Sequence, residues 1–141
     1  MVMLVMRDPL ARSPGYSLRR ASNAMTAVLV SRLAAHDLRL VEATVMLLIA
    51  DNPKITASAV GRALDIQRAN MVPLLKRLED SGLIERAPID GKSQGLSLTQ
   101  DGAAKMAEVR ETIERFEAEL LDRVPAKHRA HLIPALDALW R

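Results

Sequence analysis

Residues 56–99 read TASAVGRALDIQRANMVPLLKRLEDSGLIERAPIDGKSQGLSLT, and this stretch decides the fold. Thr56 is a suitable N-cap for a short helix that runs to Leu64, and Asp65-Ile66 predicts a tight turn after it. In the next predicted helix, which Ser81-Gly82 ends, apolar residues recur at helical spacing and form a stripe of Met71, Leu74, Leu75 and Leu78. Two short helices across a tight turn predict a helix-turn-helix.

A β-hairpin is predicted directly after this motif. Residues 83–87 and 96–98 have the composition of strands, and the polar, turn-rich residues 88–95 lie between them. We therefore expect the hairpin to extend the helix-turn-helix as a wing.

Longer helices are predicted on both sides of this unit. Ser13-Pro14 is typical of a helix start, and apolar residues at helical spacing continue to near His36. Residues 41–50 form a second, almost wholly apolar segment that should lie in the middle of the fold. Thr99 is the expected cap of another long helix, which Pro125 ends, and a last helix follows. These elements predict a mainly α fold with a small β-hairpin wing.

The predicted domains follow from these elements. Residues 1–14 should form a flexible or partner-packed arm, residues 41–99 the winged helix-turn-helix, and residues 15–40 and 100–141 the flanking dimerisation helices. The apolar face of the terminal helices is too large for a chain end with nothing to pack against, so we expect a second subunit to cover it. The residues predicted at this dimer interface are Tyr16, Leu18, Leu132, Leu136, Leu139 and Trp140.

The composition excludes several classes of function. The 141 residues include no cysteine, which rules out disulfides, thiolate nucleophiles and cysteine zinc ligands and suits a reducing cytoplasm. The aromatic residues are too few for a platform that stacks single-stranded nucleic acid, whereas a net charge of +3 permits an acidic partner. The apolar residues 1–6 end at Arg7, too early for a signal peptide or a membrane span. We expect a cytoplasmic protein without a membrane partner.

Four segments together resemble the MarR family of bacterial transcription regulators. They are TASAVGRAL at 56–64, LLKRLEDSGLIER at 74–86, DGKS at 90–93 and LSLT at 96–99, and the likeness extends from Gly15 over nearly the whole chain. In that family the first and last helices entwine two subunits, the second helix of the helix-turn-helix enters the major groove, and the wing reaches the adjacent minor groove. The resemblance implies the same arrangement here.

The resemblance also implies a function. A homodimer of this kind binds a pseudo-palindromic operator in double-stranded DNA, with half-sites roughly 34 to 36 Å apart. Repression is the family-level expectation. The family further implies a small aromatic or anionic effector, bound between the dimer helices and the winged domain.

The expected DNA contacts begin at the start of the recognition helix. The side chains of Gln67, Arg68 and Asn70 suit base edges, although a phosphate or an acidic neighbour is the alternative partner for Arg68. Other residues expected to contact DNA are Met71, Lys76 and Arg77 on the same helix, Thr56 and Ser58 at the phosphate backbone, and Asp90, Lys92, Ser93 and Gln94 in the wing. For Lys76 and Arg77 the alternative is an ordinary solvated pair with Glu79 or Asp80.

Two residues depart from the family pattern. Pro73 stands where the family usually has a polar residue, and a proline inside a helix costs ~3 kcal/mol beyond the first turn. Two interpretations stay open: the recognition helix begins late, near Asn70, or it bends. Lys92 stands where the wing commonly has arginine. Lysine keeps the positive charge but lacks the planar guanidinium group, and Asp90 is placed to orient Lys92.

Other functional classes have weaker support. Gly91-Lys92-Ser93 matches the end of a phosphate-binding loop, but Arg86 stands where that loop needs glycine, and a strand follows instead of a helix. His128 and His131 are three residues apart and could share a metal with His36 or with a carboxylate of the acidic late helix, yet no third ligand has a telling spacing. We therefore predict no metal, no cofactor and no catalysis. Architectural DNA binding without a defined operator, or a protein-interaction module, stays the alternative.

Overall fold

The computed structural model describes residues 6–141. These residues form six helices and a two-stranded hairpin, in the order α1 (Pro14–Ala34), α2 (Leu40–Asp51), α3 (Ala57–Leu64), α4 (Arg68–Asp80), β1 (Ile84–Pro88), β2 (Gln94–Leu98), α5 (Gln100–Arg123) and α6 (Ala126–Asp137). The predicted mainly α fold with a hairpin wing is confirmed. Of the predicted arm, residues 1–5 lie outside the described residues, and residues 6–12 are exposed.

Two threonines begin helices as predicted. The Thr56 hydroxyl oxygen accepts a hydrogen bond from the backbone N–H of Ala59 at 3.1 Å, and that of Thr99 accepts one from Gly102 at 3.0 Å. Such caps satisfy amide groups that a helix start leaves without a partner. Ser13 stands at the predicted N-cap of α1 but makes no capping bond with its side chain.

The first helix ends at Ala34 and not near His36. Asp37 adopts a left-handed conformation with φ 56°, and the backbone N–H of Leu38 donates to the carbonyl of Leu33 at 3.3 Å. This reversal turns Leu38 back into the core, where it is buried. The helical spacing near His36 therefore belongs to a turn.

The recognition helix α4 begins at Arg68 and continues through Pro73 to Asp80, with Gln67 as its N-cap. The prediction of a late start near Asn70 is therefore wrong. Pro73 lies beyond the first turn, so its missing N–H leaves the carbonyl of Ala69 without its usual helical donor. The helix tolerates this loss because its other face is anchored in the core by Met71, Leu75 and Leu78.

The wing is an antiparallel hairpin that also pairs with the chain before α3. Ile84 lies opposite Leu98 and Pro88 lies opposite Gln94, so the strands reach further towards the tip than the sequence predicted. Leu96 in β2 donates its N–H to the carbonyl of Ile55 at 2.8 Å. This pairing holds the wing beside the start of α3.

One core unites α1 to α5 and the hairpin. Its fully buried members come from each of these helices and from β2, and they include Leu33, Met46, Ile49, Val60, Leu75, Leu78, Leu96 and Met106. Helix α6, in contrast, buries none of its residues within residues 6–141. No helix in that range is long and apolar enough to cross a membrane.

The wing and α5 meet at a close backbone contact. The Thr99 N–H donates to the carbonyl of Leu83 at 3.1 Å, and the Thr99 hydroxyl donates to that of Gly82 at 2.5 Å. Gly82 has φ +73°, a conformation that favours glycine. A Cβ on Gly102 would lie only 1.9 Å from the carbonyl oxygen of Leu83, so only glycine fits at that position.

We predict that Gly102→Ala lowers the free energy of unfolding by roughly 1 to 3 kcal/mol or more, because backbone must move to admit the methyl group. The matched control is Gly15→Ala in the first turn of α1, where a Cβ would have nothing within 4 Å. That control should be neutral or stabilising by up to ~1 kcal/mol. Urea denaturation measures both, and equal midpoints for the two variants would contradict the prediction.

Candidate nucleic-acid interface

A concave surface lies between the helix-turn-helix and the wing. It has a volume of about 740 Å³, and we call it the basic groove; it is lined by Thr56, Ala57, Ser58, Arg62, Arg68, Arg86, Pro88, Asp90, Gly91, Lys92, Ser93 and Gln94. Three separate elements thus contribute: the start of α3, the start of α4 and the wing. Seven of the predicted DNA contacts meet here, namely Thr56, Ser58, Arg68, Asp90, Lys92, Ser93 and Gln94.

The charge of the basic groove is positive and largely uncompensated. Arg62, Arg68 and Lys92 are exposed, and within residues 6–141 none of their side chains has a carboxylate within salt-bridge distance. Arg86 is paired with Glu79. Cations left without protein partners in a concave surface attract an anionic polymer such as the phosphate backbone of DNA.

Asp90 organises the tip of the wing. Its carboxylate accepts hydrogen bonds from the backbone N–H groups of Lys92 at 2.9 Å and Ser93 at 2.8 Å. These bonds, that of Lys92 first, lower the pKa of Asp90 below its ordinary value of 3.8, so the group is ionised at neutral pH. Asp90 thus orients the backbone of Lys92 and leaves the ammonium group available to a ligand.

The start of α3 presents hydroxyl groups to the basic groove. The Thr56 oxygen is occupied as the acceptor of the helix cap, but its O–H can still donate. Ser58 is exposed beside it. Hydroxyl donors and backbone N–H groups at a helix start are common partners of phosphate oxygens.

The predicted residues of the recognition helix divide between two sides. Gln67 and Arg68 line a cavity of about 570 Å³ that adjoins the basic groove and shares Arg62 and Arg68 with it. Asn70 and Arg77 instead line a cleft on the side of α2. The sequence could not show which of these residues face the basic groove and which face α2, because the packing of α4 sets its rotation about its own axis.

Met71 is the clearest correction. It was expected to contact DNA, but it is 3% exposed and belongs to the core. A side chain that anchors the inner face of a helix cannot also reach a base edge. Met71 thus belongs to the buried apolar stripe of α4, as its helical spacing predicted, and not to the DNA-contacting face.

The two later cations of α4 have protein partners. Lys76 donates to Asp80 at 3.0 Å, which is the solvated pair considered as its alternative. Arg77 contacts neither Glu79 nor Asp80, since its Nε lies 3.2 Å from Oε2 of Glu42 in α2. The alternative partner expected for Arg77 was therefore wrong.

Glu42 is a buried acid that holds α4 to α2. It is 2% exposed, and its Oε1 accepts a hydrogen bond from the backbone N–H of Arg39 at 3.2 Å while its Oε2 faces Arg77. A buried carboxylate needs such partners because burial removes its hydration. Glu42 therefore helps to fix the position of the recognition helix without contacting the basic groove.

Sequence reasoning missed Arg62 and Arg86. Arg62 lies one helical turn after Ser58, so its place on the same face was readable from the spacing of α3. Arg86 is in β1 and reaches the groove only because the hairpin folds back beside α4. No local signal distinguishes Arg86 from another exposed strand residue.

The histidines occupy different surroundings. His36 Nε2 lies 2.8 Å from the hydroxyl of Thr112, and Lys105 donates to the carbonyl of His36 at 2.7 Å, so this histidine connects the turn after α1 to α5. His128 and His131 are exposed on α6. In the part of the chain that the structure describes, no three histidines or acids are grouped to hold a metal ion.

Comparison with known proteins agrees with this geometry. The profile of the MarR family matches residues 36–93. A protein of Thauera aromatica, assigned to transcriptional regulation of the hcr operon, is 32% identical over 95 residues, which cover 66% of this chain and 57% of that relative.

Two solved structures of one repressor are also similar. The transcriptional repressor CouR bound to a 23-mer DNA duplex superposes with a TM-score of 0.86 at 27% identity and covers 96% of this chain and 100% of its own. CouR bound to p-coumaroyl-CoA gives a TM-score of 0.83 at 27% identity, and the match covers 97% of this chain and 98% of the CouR chain. The similarity therefore extends beyond the winged unit to the flanking helices.

We predict that Glu42→Gln lowers the free energy of unfolding by roughly 1 to 3 kcal/mol, less than the full cost of breaking a buried ion pair because Arg77 is half exposed. Glutamine has the shape of glutamate and keeps an acceptor for the backbone N–H of Arg39. The loss of unfolding free energy therefore measures the contribution of the negative charge of Glu42. Glu111→Gln is the matched control, since Glu111 pairs with Arg115 on the exposed face of α5. Urea denaturation that gave equal losses for both variants would contradict the assigned role of Glu42.

Proposed function

Since the chain belongs to the MarR family of winged helix-turn-helix transcription regulators, we propose that it binds double-stranded DNA at a specific operator and represses transcription. The observation that carries this proposal is the basic groove, in which Arg62, Arg68 and Lys92 converge from α3, α4 and the wing and form no salt bridge within residues 6–141. The structure of CouR on a DNA duplex supports the same use of this fold.

Each part of the basic groove has a role in the proposal. Gln67 and Arg68, at the start of α4, read base edges in the major groove. Thr56, Ser58 and Arg62 bind phosphates and position the recognition helix. Lys92 enters the adjacent minor groove from the wing, whose tip Asp90 keeps in shape. Asn70 contributes from the side of α2, where Arg77 is held by Glu42.

A homodimer is part of the proposal. Helix α6 buries nothing within residues 6–141, and exposed apolar side chains on α6 and in the turn that follows it include Ile133, Leu136, Leu139 and Trp140. Tyr16 and Leu18, at the start of α1, are also proposed to lie in the dimer interface. A two-fold dimer through these helices would place two recognition helices on successive turns of DNA, so the operator would be a pseudo-palindrome. A protein that sediments as a monomer would contradict this part.

A small effector is the proposed signal. A cleft of about 440 Å³ lies between α2, β2 and α5, and it is lined by Ile49, Ala50, Pro53, Ser97, Leu98, Ala103, Met106, Ala107 and Arg110. Its size and mostly apolar lining suit an aromatic group, and Arg110, which pairs with Asp51, can meet an anion at the rim. CouR with p-coumaroyl-CoA supports an aromatic ligand of this kind.

The proposal assigns no catalytic step to the chain. The effector weakens DNA binding by the protein because it binds more tightly to the conformation that does not fit DNA. A protein that acts on the bacterial chromosome works in the cytoplasm, and that location is part of the proposal.

We predict that the protein binds the DNA upstream of its own coding sequence more tightly than a scrambled duplex at moderate salt. Arg68→Ala should cost roughly 1 to 3 kcal/mol on the specific duplex and reduce the preference, because a base contact is lost. Arg62→Ala should weaken both duplexes alike and lower the salt slope by about 1, as expected for a phosphate contact. Fluorescence anisotropy at several salt concentrations measures these effects.

The control variant is Arg115→Ala, which removes the same charge from α5, outside the basic groove. It should leave both affinities almost unchanged. Equal binding of the two duplexes at every salt concentration would contradict an operator and favour architectural DNA binding. Absence of binding to either would favour a protein-interaction module.

We predict that p-coumaroyl-CoA releases the protein from its specific duplex. Ala107→Phe should abolish the release while DNA binding is kept, because the ring fills the cleft between α2, β2 and α5. Ala104→Phe is the control, since Ala104 is exposed on α5 and does not line the cleft. Release that persists in Ala107→Phe would show that the effector binds elsewhere, and absence of release by the thioester would reject this effector class.

A further inference from the structure

Three apolar residues of the recognition helix face away from the core. Ala69, Val72 and Pro73 are all exposed, and the exposed fraction of Val72 is 60%. Their spacing of three and four residues places them on one face of α4. The opposite face is the buried one formed by Met71, Leu75 and Leu78. We call Ala69, Val72 and Pro73 the apolar strip.

The apolar strip has no cover in the described part of the chain. Helix α4 packs mainly on α3 and β1. Pro73 borders the cleft towards α2 and Val72 borders the cavity beside the basic groove, and both side chains remain exposed. The helices proposed to form the dimer are α1, α5 and α6, so the strip is not part of that surface. An exposed valine alone needs no explanation, but three adjacent apolar residues on the helix that enters the DNA groove do.

The surroundings of the apolar strip indicate an anionic partner. Arg68 and Lys76 lie one turn before and one turn after Val72 on the same side of the helix. Arg68 also lines the basic groove, so the strip is continuous with the uncompensated charge. A partner that fits must place phosphates beside Arg68 and an apolar group against Val72.

The major groove of DNA offers that combination. Thymine is the base whose edge there carries a methyl group, and apolar side chains discriminate it from cytosine by contact with this methyl. Alanine, valine and proline have no side-chain donor or acceptor, so they cannot read the hydrogen-bonding pattern of a base. We propose that the apolar strip reads thymine methyl groups, with Val72 as the principal contact. This inference rests on the proposed function and adds a base preference to it.

Deoxyuridine tests the proposal because it pairs as thymidine does and lacks only the methyl group. The bound operator is first defined by footprinting the upstream DNA, and each thymidine in the footprint is then replaced singly. We expect about a fourfold loss of affinity for each contacted methyl, the value expected for one buried methyl group. At least one position in each half-site should show the loss.

The variant Val72→Ala connects the loss to the apolar strip. Val72 is largely exposed, so the substitution should leave the urea midpoint unchanged, and in this variant the deoxyuridine duplex should bind as well as the thymidine duplex. The wild-type protein, measured on the same duplexes, is the reference and should keep the full fourfold difference.

Three results would overturn the inference. If the protein prefers its operator but no deoxyuridine replacement weakens binding, the strip does not read methyl groups, although the proposed function stands. If deoxyuridine weakens the wild type and Val72→Ala equally, the methyl acts through DNA shape or another side chain. If unmodified operator and scrambled DNA bind alike, the proposed function fails and the inference fails with it.

Discussion

The close contact between the backbone of Leu83 and Gly102 is the constraint on which the rest of the structure depends. It joins the base of the wing to the start of α5, and Thr99 reinforces it with hydrogen bonds to the carbonyls of Leu83 and Gly82. Backbone at this distance leaves no room for a side chain to adjust. A movement of α5 would therefore displace the hairpin, and this contact would connect the proposed effector cleft beside α5 with the basic groove.

Two further contacts keep the basic groove in shape. The pairing of Leu96 with Ile55 holds the wing beside α3, and the buried Glu42 holds the second half of α4 to α2 through Arg77. The cations of the basic groove repel one another, so they must be brought together by contacts elsewhere in the fold. The backbone pairing of Leu96 with Ile55 and the ion pair of Glu42 with Arg77 do this without lining the basic groove themselves.

The apolar and polar faces of α4 illustrate what could be predicted. The stripe of Met71, Leu74, Leu75 and Leu78 was evident from helical spacing, and the structure buries three of these residues and leaves Leu74 half-buried against the core. The assignment of Met71 to the DNA as well conflicted with that stripe, and burial decided against it. Asn70 and Arg68 are close in sequence, but they face different sides of α4, which only the docked helix reveals.

The sequence by itself determined the elements, their order and several of their boundaries, because caps such as Thr56 and Thr99, the turn at Asp65 and the spacing of apolar residues act within a few residues of chain. It also determined that Thr56, Arg68 and Lys92 were candidates for DNA contact. Only the tertiary structure decided that these side chains share one groove with Arg62 and Arg86, that Glu42 is buried against Arg77, and that Val72 remains uncovered. Those facts depend on how α3, α4 and the wing pack together, and packing joins residues whose separation in the chain carries no local signal.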